Sequence, residues 1–146
     1  MELPQPLVKT GLAEQASNSA AAAKILEKVL GGPEKTIMGA DGMGVLISAE
    51  VLSRRQPERS PFYPFLQDMI EDPYEIWMTL DRHNATGRVE LRKRYIKLLH
   101  IGKEKQAMCL VAQVVKGQLV AWTLVTSSNP SGLNKQRVGK LLYFRK

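Results

Sequence analysis

A chain of 146 residues, 44% of them apolar, can bury the core of one domain, and its single cysteine, Cys109, excludes an intramolecular disulfide. No Cys/His cluster has zinc-ligand spacing, and no apolar run approaches the roughly 20 residues that cross a bilayer. The formal charge of +7 is unevenly held: residues 1–72 contain 7 Lys and Arg against 10 Asp and Glu, whereas residues 73–146 contain 14 against 4.

Residues 1–12 hold two prolines and no sustained period, so they read as a flexible lead-in, with no basic region and apolar core of a classical signal peptide. Residues 13–146 are expected to form a single domain. In AEQASNSAAAAKILEKVLGG the residues Ala22, Ile25, Leu26, Val29 and Leu30 share one helical face, and Gly31, Gly32 and Pro33 end the helix. TIMGADGMGVLIS places a turn at Asp41-Gly42 before the apolar run from Val45 to Ile47, and a short helix is expected to start near Ser48. Its glycines lack the Lys and Ser/Thr of a phosphate-binding loop. QPERSPFYPFLQDMIEDP is punctuated by Pro57, Pro61 and Pro64, and Phe62, Phe65, Leu66, Met69 and Ile70 suit a short helix ending before Pro73.

From there the period changes from helical to alternating. YEIWMTL, VELRKRYIKLL, AMCLVAQVV and QLVAWTLVT are predicted strands, LLYF a short fifth, and Lys116-Gly117 joins the third and fourth as a tight antiparallel hairpin. The expected class is α+β: N-terminal helices packed against a compact, mostly antiparallel sheet of four or five strands.

The basic second half attracts polyanions by steering and counterion release, which puts RNA or DNA first; a solvated basic face without a ligand is the alternative. Strict alternation sets Arg92, Arg94, Ile96 and Leu98 on one side of their strand and Leu91, Lys93, Tyr95 and Lys97 on the other, in a strand that starts exposed and is buried toward Leu98 and Leu99. Arg92 and Arg94 can present two guanidinium forks to phosphate oxygens, or pair with Glu90 and other acids at the surface. Tyr95 either contacts a base or packs in the core. On the fourth strand Trp122, Leu124 and Thr126 alternate to one side; Trp122 and Leu124 read as core, and Thr126, at the strand's end, either donates to a phosphate or caps the loop. Lys135, Arg137 and Lys140 are available to phosphate, and Tyr143 either packs or stacks.

His83, in DRHNATGR, titrates near neutrality and is the candidate proton shuttle, against the reading of an ordinary loop histidine; His100 is a second candidate. Glu75 and Asp81 are possible bases without the spacing of a carboxylate pair. Asp41, Asp68, Glu71 and Asp72 form no metal motif, so a metal-free mechanism is the simpler reading. RNA suits this repertoire. Its 2′-hydroxyl is already the nucleophile, and the protein must orient it, stabilise charge on the phosphate and move a proton.

Taken in order, EDPYEIW, RKRYIKLL, AWTLVT and the R-x-G-x-x-x-Y of RVGKLLY resemble the phage-associated branch of the barnase, EndoU, colicin and RelE-like ribonucleases, over about residues 36–144. That family occurs at the C-terminal ends of phage head-morphogenesis proteins and in polymorphic bacterial toxins. The resemblance implies N-terminal helices before an antiparallel sheet, and a metal-independent endoribonuclease toxin domain that needs no cofactor. It also implies delivery by phage or a specialised secretion route, action on RNA in the target cytoplasm, and a cognate immunity protein. It draws attention to Trp77, Arg94, Tyr95, Thr126, Arg137 and Tyr143; Trp77 still reads physically as core, and His83 lies outside the matching motifs. A non-catalytic nucleic-acid-binding module and a structural phage or protein-interaction domain are the other readings.

Overall fold

The computed structural model describes residues 7–9, 12–54, 57–82, 86–101, 104–127 and 130–144. Strand β1, Leu7–Lys9, precedes helix α1, Ser19–Leu30. The helix starts later than its alanine-rich surroundings suggest because Asn18 is extended and accepts the Ala21 amide on its side chain (2.8 Å). It ends at Gly31, whose left-handed conformation lets its N–H reach the Glu27 carbonyl. Strands β2, Glu34–Met38, and β3, Gly44–Ser48, form a hairpin around the Asp41-Gly42 turn; Ser48 then caps helix α2, Ala49–Ser53. A proline-rich 3-10 segment, Pro57–Phe65, leads into α3, Leu66–Glu71.

The expected strands follow as β4, Glu75–Arg82, β5, Val89–Ile101, β6, Glu104–Val115, and β7, Gln118–Ser127; a second 3-10 segment, Pro130–Gln136, leads to β8, Lys140–Phe144. Lys116 and Gly117 both have positive φ, the geometry of a two-residue hairpin matched to strand twist. Among the described residues eight strands form one sheet, not four or five. The order is β2-β3-β7-β6-β5-β4-β8, with β1 alongside β5. The five predicted strands lie together in it. The additional pairings β3 with β7 and β1 with β5 are parallel and join distant segments, which local periodicity does not report.

The helices cover one face of the sheet. Ala22, Leu26, Leu52, Tyr63 and Met69 pack there against Ile76, Tyr95, Leu110 and Leu124. On the opposite face the second 3-10 segment lays Leu133 over Ile96, Leu98, Ala107 and Cys109, and leaves the far end of the sheet uncovered. The chain can return from that segment into β8 only by passing close to β4. At Gly139, φ is +90° and a Cβ would lie 2.2 Å from the Met78 carbonyl oxygen. Gly139→Ala is therefore expected to lose about 2–4 kcal/mol in denaturant unfolding. Gly117→Ala has the same backbone strain but nothing within 4 Å of the added methyl, and should lose only about 1 kcal/mol.

Candidate active site

Register assembles the uncovered face. Residues paired across neighbouring strands share a side, so Trp77, Thr79 and Asp81 of β4 stand beside Arg94, Arg92 and Glu90 of β5, and these beside Val111 and Gln113 of β6. Of these, Glu90, Arg92, Arg94, Val111 and Gln113 border a groove of about 460 Å³ together with Trp122 and Thr123 of β7 and Gln136. The Arg92/Arg94 side of the strand is thus as alternation predicts.

Trp122 is not. A β-bulge between Val111 and Ala112 pairs Val111 with Thr123 and Ala112 with Ala121, leaving Trp122 as the extra residue. Ala121 and Leu124 both join the helix-side core, while Trp122 and Thr123 both line the groove. Trp122 is half-buried at its edge, not a core residue.

Arg94 forms the floor. Its Nε donates to Gln136 Oε1 (2.9 Å) and its Nη1 to Thr79 Oγ1 (2.7 Å), both neutral, while the carboxylate of Asp81 stays 3.9 Å from Nη2. The side chain is 11% exposed and its guanidinium is held by two elements. Arg92, beside it and 37% exposed, reaches Asp81 and Glu90 only at 3.6 Å, and its Nε is buried with no hydrogen-bond partner. Two guanidiniums thus stand side by side with their carboxylate neighbours at 3.6–3.9 Å, and a planar fork is the geometry that suits an oxyanion.

Arg137 meets a different partner. Its Nε and Nη2 donate to the two oxygens of Glu75 (2.7 and 2.9 Å), a carboxylate with no solvent exposure that also accepts Trp77 Nε1 (3.0 Å). The hydrogen bonding to the Glu75 carboxylate holds the Arg137 guanidinium's pKa above its ordinary value. Glu75 shares the sheet face with Arg94, and Gln136 immediately precedes Arg137, so the 3-10 segment is anchored at the groove by two consecutive residues.

The other sequence candidates are dispersed. Thr126 pairs with Met108 and so lies on the helix side, where Arg59 Nη1 donates to its hydroxyl. Tyr95 is fully buried in the helix-side core and Tyr143 packs against that core. Burial raises the Tyr95 phenol's pKa and pushes that of Tyr63 up to about 12. Lys135 and Lys140 are exposed. His83 lies outside the described residues, as does the side chain of His100. The expectation that β5 starts exposed is corrected on its helix side: Lys93 is fully buried and bonded to Asp41, and Lys97 is 2% exposed and bonded to Asp72. Burial pushes the Cys109 thiol up to about 12, so it offers no thiolate at neutral pH. Gln136, Thr79 and Trp122 are site residues that no sequence pattern singles out.

Among the described residues no group of three or more His, Cys, Asp or Glu is placed to hold a metal ion, and no helix is long and apolar enough to cross a membrane. The fold is α+β, with helices on one sheet face and a guanidinium-floored groove on the other. The chain belongs to the family described as phage-Barnase-EndoU-ColicinE5/D-RelE like nuclease 2 (PBECR2), whose model matches residues 21–144. Membership places it among phage-associated nucleases. No curated protein and no solved structure is significantly similar to it.

Proposed function

We propose that the domain is a metal-independent endoribonuclease whose Arg92/Arg94 groove binds RNA and promotes attack of a 2′-hydroxyl on the adjacent phosphate. The observation that carries this reading is the setting of Arg94. Two neutral partners hold its fork in place before substrate arrives, and its charge is incompletely matched by Asp81. Such a preorganised cation stabilises the additional negative charge of a pentavalent phosphorane without reorganising, and partial burial strengthens the effect.

Arg92, 37% exposed, supplies a second guanidinium for a non-bridging oxygen. Lys135 and Lys140 attract flanking phosphates from exposed positions. Arg137, with Glu75, holds the 3-10 segment against the sheet, and Thr126, Tyr95 and Tyr143 serve as framework. His83, in the connection from β4 to β5, is the proposed proton shuttle. Within the same reading, a cognate immunity protein is a partner that would cover the groove, detectable as stoichiometric inhibition of cleavage.

The test is incubation of purified protein with labelled RNA in chelator. Wild type is expected to yield fragments ending in 2′,3′-cyclic phosphate and to leave 2′-O-methyl RNA and DNA intact, since both lack the nucleophile. His83→Ala should slow cleavage roughly 10²–10⁴-fold, the usual worth of general acid–base catalysis. Tight RNA binding by wild type with no product would replace the enzyme by an RNA-binding module.

A further inference from the structure

We infer that Trp122 is a nucleobase platform and that the groove therefore takes single-stranded RNA. The inference rests on the groove being the nucleic-acid site argued above, and adds what the arginines do not provide, a means of telling an unpaired strand from a duplex.

The bulge is its basis. An extra residue in β7 interrupts the ladder between Val111 and Ala112, and its effect is to turn an indole out of the alternation that would bury it. A tryptophan is worth most to stability in the core, yet this one stands half-buried on the wall of a polar groove, with Gln113 and Thr123 beside it. Tyr95 of β5 and Tyr143 of β8 go to the helix-side core instead. From β5 to β7 is two strand spacings, roughly 10 Å, a span suited to a phosphate on Arg92 and Arg94 with the base of the same nucleotide on the Trp122 ring. In a duplex both faces of each base are covered by their neighbours, and A-form RNA shows proteins only its edges and backbone. An indole platform is accessible to a splayed-out base alone.

The experiment measures binding of a fluorescent, uncleavable 2′-O-methyl RNA of mixed sequence by anisotropy. The probes are the single strand, its duplex, and the same strand made abasic throughout, each with wild type, Trp122→Ala, Trp122→Phe and Arg94→Ala. Trp122→Ala should bind the single strand roughly 10- to 100-fold more weakly, as loss of a stacking partner does, and Trp122→Phe should recover most of that. On wild type the duplex should bind at least about tenfold more weakly than the single strand, and the abasic strand should lose as much as Trp122→Ala loses. The abasic strand should bind wild type and Trp122→Ala alike. If Trp122→Ala fails to fold by circular dichroism, the wild-type duplex and abasic comparisons decide the matter alone. Single-strand binding by a folded Trp122→Ala within twofold of wild type, or equal wild-type affinity for duplex or abasic strand, overturns the inference. If Arg94→Ala still weakens binding in that case, the groove reading stands without the platform; if neither variant weakens it, both fall.

Discussion

Arg137→Ala should destabilise the fold by about 3–5 kcal/mol, because it strands the Glu75 carboxylate in a site with no solvent exposure. A chain of this size would show this as a fall of roughly 10 °C or more in thermal midpoint. Glu75→Ala should also be costly, since it removes the carboxylate that accepts two hydrogen bonds from Arg137 and one from the Trp77 indole N–H. A Glu75→Ala, Arg137→Ala double variant should cost clearly less than the sum of the single variants, since only the double leaves no uncompensated charge. Chemical denaturation of the four proteins is the measurement. An Arg137→Ala protein as stable as wild type but unable to cut RNA would make Arg137 a phosphate ligand instead of the anchor of the 3-10 segment.

Arg94→Ala should reduce kcat/KM for RNA by roughly 10²–10³-fold, the usual loss for one donor aimed at transition-state charge, with stability changed by only about 1 kcal/mol. Arg94→Lys should restore little. A single ammonium on a flexible stem cannot reproduce the planar fork that Gln136 Oε1 and Thr79 Oγ1 hold in place. Gln136→Ala leaves the charge and removes one of the two bonds that orient it, so a smaller loss, about tenfold and mainly in kcat, is expected. Steady-state cleavage of a short RNA by the three variants checks the ranking. Full activity in Arg94→Ala would remove the catalytic assignment from the groove.

Local chemistry written in consecutive residues was legible without a structure. Gly31 ends α1, Lys116-Gly117 turns the β6–β7 hairpin, and the alternation of VELRKRYIKLL puts Arg92 and Arg94 on one face. Each depends on backbone geometry with a fixed period, so a few neighbours suffice. The contacts that separate site from framework span much longer intervals. Arg137 meets Glu75, Thr126 meets Arg59, and Lys93 meets Asp41, across 62, 67 and 52 positions. Nothing near Arg137 distinguishes a guanidinium free for phosphate from one committed to a buried carboxylate. Trp122 shows the limit most sharply, because period 2 assigns its side correctly only while the ladder is unbroken, and one extra residue in β7 reverses it. The sequence by itself determined the class of fold, the charge of the second half and the face of β5 that carries two arginines. Only the tertiary structure decided which cations remain available and which aromatic ring borders them, because burial, counterion distance and bulge position are properties of register between strands distant in the chain.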